Sequence, residues 1–219
     1  MTFSISARCA RSGELGVAVT TAWFAVGSVC PAVRANIGAV ASQALVNANL
    51  RAACLDRIAA GDRPELALAE ALKADASPEQ RQVSVVDAAG RAAAHTGAAC
   101  PDACGHRIAA GCVIAGNTLS SIEVLDAIES SWHTTRDSDL ALAERMLMAL
   151  DAGQQEGGDK RGRQSAALLV GNMDPMLQVD LRVDDHPDPL VELRRLLALF
   201  REKYEPIHRA LPATSRSGP

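Results

Sequence analysis

The chain has 219 residues and a formal net charge of −4; 48% of its residues are hydrophobic, yet only 3% are aromatic. This length suits one domain with a core of its own, and the small negative charge with dispersed basic residues argues against a broad nucleic-acid-binding surface. No apolar run reaches the ~20 residues of a transmembrane helix and no signal-peptide pattern opens the chain, so we expect a cytoplasmic protein that binds neither nucleic acid nor membrane.

Residues 1–45 predict three strands. The segments Phe3–Ala10 and Gly16–Thr21 are joined by Arg11-Ser12-Gly13, a composition typical of a turn. The third apolar stretch is Val33–Leu45, where Gly38 indicates a bend or a close approach of another backbone.

Two helices and a hairpin follow. The helix Asn49–Ala60 ends at Gly61, a favourable stop, and the helix Pro64–Ala74 begins with proline in its first turn. The hairpin strands are Gln82–Val86 and Arg91–His95, on either side of the turn Asp87–Gly90.

The second half continues this alternation of strands with helices. Apolar residues recur at helical spacing from Ile122 to Trp132 and from Leu142 to Ala149. The remaining predicted elements are the strands Arg107–Ala115, Gln164–Val170 and Leu177–Val183 and the helix Leu190–Lys203. We expect a single domain over residues 1–205 and a flexible tail over 206–219.

The predicted order is three strands, two helices, three strands, two helices, two strands and one helix. Strands in adjacent blocks favour antiparallel sheets covered by helix pairs over a doubly wound parallel fold. The expected class is therefore α+β, with two stacked, mainly antiparallel sheets between helices in a four-layer αββα sandwich.

Thr2 is a candidate nucleophile, because it opens the first predicted strand. Removal of Met1, which a small second residue permits, would leave Thr2 with a hydroxyl and a free α-amine. Such a threonine can use its own amine as the base, since that amine is partly unprotonated near neutral pH. A chain end without a role is the structural alternative.

Four stretches carry a resemblance to a known family: Met1–Ile5, Arg81–Val83 with His95–Gly97, Gly157–Val170, and Arg182–Pro187. They resemble the bacterial family catalogued as domain of unknown function 1028, from residue 1 to about residue 200. That family is similar in fold to the N-terminal nucleophile (Ntn) hydrolases, whose αββα sandwich agrees with the predicted order. The resemblance implies hydrolysis of an amide bond, with Thr2 as the nucleophile.

Four further residues are catalytic candidates, because an N-terminal nucleophile needs a cation and oxyanion donors nearby. Arg34 occupies the place in chain order where such enzymes have a lysine; a surface charge at a strand end is the alternative. Gln43 interrupts an apolar strand and would be costly to bury without partners. Asn117 resembles the family's Gly-Asn pair, although a turn would explain it as well. Asp159 lies in a glycine-rich loop that could place a carboxylate beside the amine.

Four residues are candidates for substrate binding. Arg161 and Arg163 share the loop of Asp159 and could bind a substrate carboxylate, whereas ion pairs within a solvated loop are the alternative. Ser165 is a candidate by similarity to related hydrolases. His95 ends a strand, where a hydrogen-bonded structural histidine is the more frequent case.

The segment Cys100–His106 has the spacing closest to a metal site, with Cys100, Cys104, His106 and then Cys112 as potential zinc ligands. Its C-x3-C-x-H spacing is not that of a standard zinc knuckle. In a chain without an export signal, cysteines are more often buried thiols than a disulfide framework. We therefore expect no metal and no organic cofactor, with a zinc protein as an open alternative.

These interpretations converge on an amidohydrolase that cleaves a C–N bond in a small amide, ureido or acyl-amino substrate through an acyl-enzyme. The apolar helix faces and sheet edges favour a homodimer. A non-catalytic small-molecule-binding or interaction protein on the same scaffold is the alternative.

Overall fold

Two antiparallel β-sheets stacked face to face form the centre of the computed structural model, which describes residues 2–210. The strands are β1 (Thr2–Arg8), β2 (Leu15–Thr21), β3 (Pro31–Arg34), β4 (Gly38–Ala44), β5 (Arg81–Asp87), β6 (Ala92–Thr96), β7 (Gly105–Ala109), β8 (Cys112–Asn117), β9 (Ser165–Gly171) and β10 (Val179–Val183). Sheet A has the strand order β10-β9-β2-β1-β8-β7, and sheet B has the order β3-β4-β5-β6.

Helices cover the outer face of each sheet. They are α1 (Asn49–Ala59), α2 (Pro64–Lys73), α3 (Glu123–Thr134), α4 (Leu142–Gln155), α5 (Pro189–Leu199) and α6 (Glu205–Ala210). Helices α1 and α2 pack on sheet B, whereas α3, α4 and α5 pack on sheet A. The expected α+β sandwich of two stacked antiparallel sheets is confirmed. Among residues 2–210, no helix is long and apolar enough to cross a membrane.

The two faces of β1 show why the sheets stack. Phe3 and Ile5 belong to the apolar core formed with α3 and α4. The alternate residues point to sheet B, as shown by the Ser6 Oγ, which lies 2.7 Å from the Ser84 Oγ. Strands β2 and β4 supply a second apolar core between the sheets, which includes Val17. Strand β1 is therefore buried on both faces.

The strands define two ends of the sandwich. At the "Thr2 end", β1 begins beside Asn117 at the end of β8 and Gln82 at the start of β5. At the "Arg8 end", β1 finishes beside the turn that contains Gly90. A seven-residue strand at about 3.4 Å per residue separates these ends by about 20 Å.

Two stretches predicted as single strands are hairpins. The stretch Val33–Leu45 contains the turn between β3 and β4, where Asn36 has φ = 57°. The stretch Arg107–Ala115 contains the turn between β7 and β8, where Gly111 has φ = 72°. A left-handed residue reverses the chain within an apolar run, and periodicity alone does not reveal it.

The C-terminal helix also differs from the prediction. It begins at Pro189, and a π turn over 200–204 joins α5 to α6. Part of the predicted tail, residues 206–210, is helical; Met1 and residues 211–219 lie outside the described residues.

Candidate functional site

Thr2 begins β1 in the middle of sheet A, where its register partners are Thr21 on β2 and Asn117 on β8. Its Oγ1 donates a hydrogen bond to the Thr21 Oγ1 at 3.2 Å, and the residue is only 9% exposed. The candidate nucleophile is thus held by a strand on each side rather than by a loop.

Three buried amides form a network across the two sheets at the Thr2 end. The Gln82 Oε1 accepts hydrogen bonds from the Gln43 Nε2 at 2.8 Å and from the Asn117 Nδ2 at 2.9 Å. All three residues are at most 1% exposed. Because Asn117 is the register partner of Thr2, this network fixes an amide side chain beside the candidate nucleophile.

The nitrogen of the Gln82 amide is hydrogen-bonded as well as its oxygen. Its Nε2 donates to the carbonyl oxygens of Gly105 and Gly116 and to the Thr96 Oγ1, at 2.9–3.0 Å. The Thr96 Oγ1 is in turn 2.9 Å from the His106 Nδ1. These bonds offset the cost of burying the Gln82 amide, and the bond to Gln82 in turn offsets the cost that was anticipated for Gln43.

Asp159 spans the gap between the strands that flank β1. Its Oδ2 accepts the N–H of Ala22, which directly follows β2, at 2.9 Å. Its main chain forms a β-bridge with Leu119, two residues after the end of β8. Both flanking strands therefore reach past Thr2, and Asp159 lies where β1 would continue beyond its first residue.

The electrostatics of Asp159 are set by burial. Burial raises the pKa of its carboxyl, and hydrogen bonds from the main-chain amides of Arg161 and Ala22 oppose that rise. The Arg161 guanidinium lies 3.4 Å from the Asp159 Oδ2. A raised pKa in the folded state means that this carboxyl stabilises the fold most at low pH, and that the stabilisation is lost as pH rises through the folded value.

Ser165 lies beside Thr21 in the register of β9 with β2. Its Oγ donates to the carbonyl oxygen of Trp23 at 2.6 Å and accepts the N–H of Val26 at 3.1 Å. The serine hydroxyl therefore holds the loop after β2, so it positions one wall of the Thr2 end.

Three predicted site residues are bonded to groups outside the network around Thr2, and one of them, Arg34, lies at the opposite end. Arg34 is at the Arg8 end, because it pairs in register with Gly38 at the start of β4, and its guanidinium binds Asp56 at 2.9 Å. His95 is on the face of β6 opposite to Thr96, and its Nε2 bonds the carbonyl oxygen of Pro78. Arg163 forms an ion pair with Asp188, with the nearest atoms 3.2 Å apart.

A family model described as a family of unknown function, DUF1028, matches residues 2–193. The chain belongs to this family. The crystal structure of a DUF1028 protein from Silicibacter pomeroyi is similar to it, with a TM-score of 0.89 and 32% sequence identity over 98% of this chain and 93% of that chain. No curated protein matches. The family resemblance expected from the sequence is confirmed, and the DUF1028 match contains every residue of the Thr2 end described above.

The cysteines of this DUF1028 chain do not assemble as the zinc alternative requires. Cys112 is the register partner of Ala7 near the Arg8 end, whereas the His106 ring bonds Thr96 near the Thr2 end. Among residues 2–210, no group of three or more His, Cys, Asp or Glu side chains is placed to hold a metal ion. The zinc-site interpretation is therefore wrong for these residues.

Gln82 and Thr21 belong to the Thr2 end of the DUF1028 fold but were missed in the sequence. Gln82 stands at the start of the predicted strand and does not interrupt an apolar run, so the criterion that singled out Gln43 did not apply to it. The two glutamines are register partners on β4 and β5. Thr21 gave no signal, because threonine is common in strands.

Proposed function

We propose that this DUF1028 protein is an amidohydrolase of the Ntn type that uses Thr2 as its nucleophile. The observation that carries the proposal is the placement of Thr2 at the start of a central strand, with the Asp159 carboxylate spanning the position just beyond it. A free α-amine on Thr2 would lie beside this buried carboxylate, which would orient the neutral amine as a base and stabilise the ammonium that forms when the amine accepts a proton.

The reaction follows from these groups. The Thr2 Oγ1 attacks the carbonyl carbon of the substrate while the α-amine accepts the hydroxyl proton. The C–N bond then breaks, the amine nitrogen leaves with that proton, and an ester on Thr2 remains. Water attacks the ester with the same amine as base, which releases the acid and restores the hydroxyl.

The amide network gives the Thr2 end its fixed geometry. In the proposal, the Asn117 amide faces the oxyanion that forms on the substrate, and Gln82 holds that amide in place. A donor of this kind contributes roughly 3–4 kcal/mol to the transition state. The proposed substrate is a small amide, ureido or acyl-amino compound, and the proposed location is the cytoplasm.

Two apolar loops at the Thr2 end support the proposed homodimer. Trp23 and Phe24 follow β2 and are 67% and 62% exposed. Leu45 and Val46 follow β4, which ends on the same side of the sandwich. Exposed apolar surface of this kind marks association sites, so we expect a second copy of the chain to cover these loops.

The test uses the intact mass of untagged protein before and after treatment with a β-lactone, an electrophile that acylates a reactive threonine hydroxyl. We expect loss of one methionine, and then one acyl group on Thr2 of the wild type and of Thr2→Ser. Thr2→Ala is the matched control, because alanine also permits removal of Met1. A free Thr2 amine without acylation of Thr2 would contradict the proposal.

Ligand binding without catalysis is the second candidate. It is favoured by the burial of Thr2 and by the position of a cavity of about 710 Å³ at the Arg8 end. This candidate predicts that Thr2→Ala binds the cognate ligand as the wild type does, whereas the enzyme proposal predicts loss of turnover in that variant.

A further inference from the structure

A cavity of about 710 Å³ opens at the Arg8 end of the sandwich. Its volume is in the range of small-molecule sites. The turns after β5 and β7 contribute Gly90 and Gly111, so backbone forms part of the wall. The basic residues of the lining are Arg8, Arg11, His133, Arg136 and Arg145. Asp137 is the acidic residue of this lining, so basic side chains outnumber it and the cavity concentrates positive charge in a chain whose net charge is negative.

Arg145 is the most unusual member of this lining. The residue is only 4% exposed, and no carboxylate of residues 2–210 lies within ion-pair distance of its guanidinium. Its guanidinium carbon lies 3.9 Å from the centre of the Trp132 ring. Its hydrogen bonds to oxygen are long, at 3.4 Å to the Thr135 Oγ1 and 3.5 Å to the carbonyl oxygen of Trp132, and the Cys9 thiol is a further hydrogen-bond partner. A buried guanidinium without a counter-charge is costly, so an anion in the cavity would bring a large gain.

Two further arginines have unused donors at the same cavity. The Arg8 Nε is buried without a hydrogen-bond partner among the described residues. Arg136 is exposed and has no ion-pair partner within residues 2–210. Arg11 differs from both, since its guanidinium already binds Asp139 at 2.8 Å. Arg8 and Arg136 thus bring donors without a protein partner in residues 2–210 to the lining of one cavity.

The surroundings of Arg145 add to the positive potential. It lies in the first turn of α4, where the helix dipole favours negative charge. Burial lowers the pKa of its guanidinium, and the nearby Cys9 thiol acts in the opposite direction. The thiol opposes the effect of burial only in part, and no carboxylate of residues 2–210 pairs with the guanidinium.

We propose that the cavity at the Arg8 end is an oxyanion-binding site, in which Arg145, Arg8 and Arg136 hold a phosphate or carboxylate group of a small molecule. Guanidinium groups bind both kinds of oxyanion through paired N–H donors. The site lies about 20 Å from Thr2 along a strand. It is therefore distinct from the proposed nucleophile and does not depend on the hydrolase proposal.

A purely structural role for Arg145 makes a different prediction. Its bonds to Trp132 and Thr135 at the end of α3 resemble those of a helix C-cap. In that case Arg145→Met would unfold more readily in every buffer, and oxyanions would stabilise the variant and the wild type equally. An oxyanion site instead predicts that Arg145→Met is as stable as the wild type in chloride, since methionine removes an uncompensated buried charge.

The test measures thermal unfolding in sodium phosphate and in sodium malonate, each against sodium chloride of equal ionic strength. We expect one of the two oxyanions to raise the unfolding temperature of the wild type by about 5–10 °C at 100 times its Kd. The phosphate and malonate arms decide which oxyanion the site prefers. Arg145→Met should lose this shift, and Arg136→Ala should bind the same anion about 10-fold more weakly.

Arg195→Ala is the charge-matched control, because Arg195 lies on the exposed face of α5 and pairs with Glu192. It should keep the full shift. If Arg145→Met does not fold, the comparison of Arg136→Ala with Arg195→Ala decides. A wild type that responds no more to phosphate and malonate than to chloride would overturn the proposal. Equal responses of Arg136→Ala and Arg195→Ala would overturn it as well.

Discussion

The two ends of this sandwich use buried polar groups in opposite ways. At the Thr2 end, the amides of Gln43, Gln82 and Asn117 bond one another and the backbone. At the Arg8 end, Arg145 is equally buried, yet no carboxylate of the described chain pairs with it. The amide network at the Thr2 end is satisfied internally, whereas the Arg8 end carries donors without a protein partner among the described residues into a cavity of about 710 Å³.

This difference indicates which chemical role, holding a reacting group or binding a ligand, suits each end. A network whose members satisfy one another is rigid, and it can hold a reacting group in a fixed position. Donors without a protein partner can still form hydrogen bonds with a ligand, and binding of that ligand would stabilise the folded protein. The Thr2 end is therefore preorganised, whereas the Arg8 end has donors that can bind a ligand. The two ends are separated by the length of one strand.

The largest effect should come from Thr2 itself. Thr2→Ala is expected to abolish β-lactone acylation, because no other hydroxyl at that position can form the ester, while the unfolding temperature stays near that of the wild type. Peptide mass spectrometry of the N-terminus checks the acylation. If the same peptide is labelled equally in Thr2→Ala and in the wild type, the acylated group is not the Thr2 hydroxyl and the prediction is contradicted.

Gln82→Met tests the internal satisfaction of the Thr2 end. Removing this amide leaves donors on Gln43 and Asn117 and two carbonyl oxygens without their partner, at about 1–3 kcal/mol for each unsatisfied group. We expect a total loss of about 4 kcal/mol or more in the free energy of unfolding by urea, since four groups lose a partner. Gln80→Met is the control, since the Gln80 side chain bonds, among the described residues, only the neighbouring Glu79 at the surface. Similar losses in both variants would refute the network.

Acid sensitivity should be concentrated at the Thr2 end. The Arg81 guanidinium lowers the pKa of Asp75 to about 2; burial opposes this shift, and Asn47 adds to it. A lowered pKa in the folded state stabilises the fold above the unfolded value of about 4, and this stabilisation is lost as pH falls through about 2.

Asp75→Asn should therefore cost about 1–2 kcal/mol at pH 6 and show a flatter loss of stability between pH 4 and pH 2. Asp56→Asn, which removes the exposed ion pair with Arg34 at the Arg8 end, should cost less than about 1 kcal/mol. Urea unfolding across this pH range measures both variants. If the stability of the two variants depends on pH in the same way, acid sensitivity is not concentrated at the Thr2 end.

Two serines midway along β1 test a single hydrogen bond between the two sheets. The Ser6 Oγ bonds the Ser84 Oγ at 2.7 Å, whereas the equally buried Ser4 Oγ has no partner among the described residues. Ser6→Ala should cost about 1–2 kcal/mol, because it leaves Ser84 unsatisfied. Ser4→Ala should be neutral or stabilise by less than about 1 kcal/mol. The order of the two unfolding midpoints is the test, and the reverse order would contradict it.

Much of the fold was predictable because its signals are local. Helical spacing placed α3 and α4, Gly61 ended the region of α1, and the turn Asp87–Gly90 marked the hairpin of β5 and β6. The chain reversals at Asn36 and Gly111 were missed, since they lie within apolar stretches that read as continuous strands. Local pattern therefore found most elements and miscounted the strands.

A residue of the candidate site was predictable only where its immediate sequence context distinguished it. Gln43 stood out as a polar residue in an apolar strand, and its burial with partners followed that logic. Arg34 was placed by chain order, but the antiparallel hairpin carries it to the opposite end of the sandwich. Chain order does not fix the end of a sheet at which a residue lies.

The sequence by itself determined the family, the layered α+β class and the position of Thr2 at the start of a strand, because composition, spacing and motif are properties of neighbouring residues. The tertiary structure alone decided that Gln82 joins Gln43 to Asn117, that Asp159 spans the gap beyond Thr2, and that Arg145 is buried without a carboxylate. These contacts join residues far apart in the chain, and the register and stacking of the two sheets determine them.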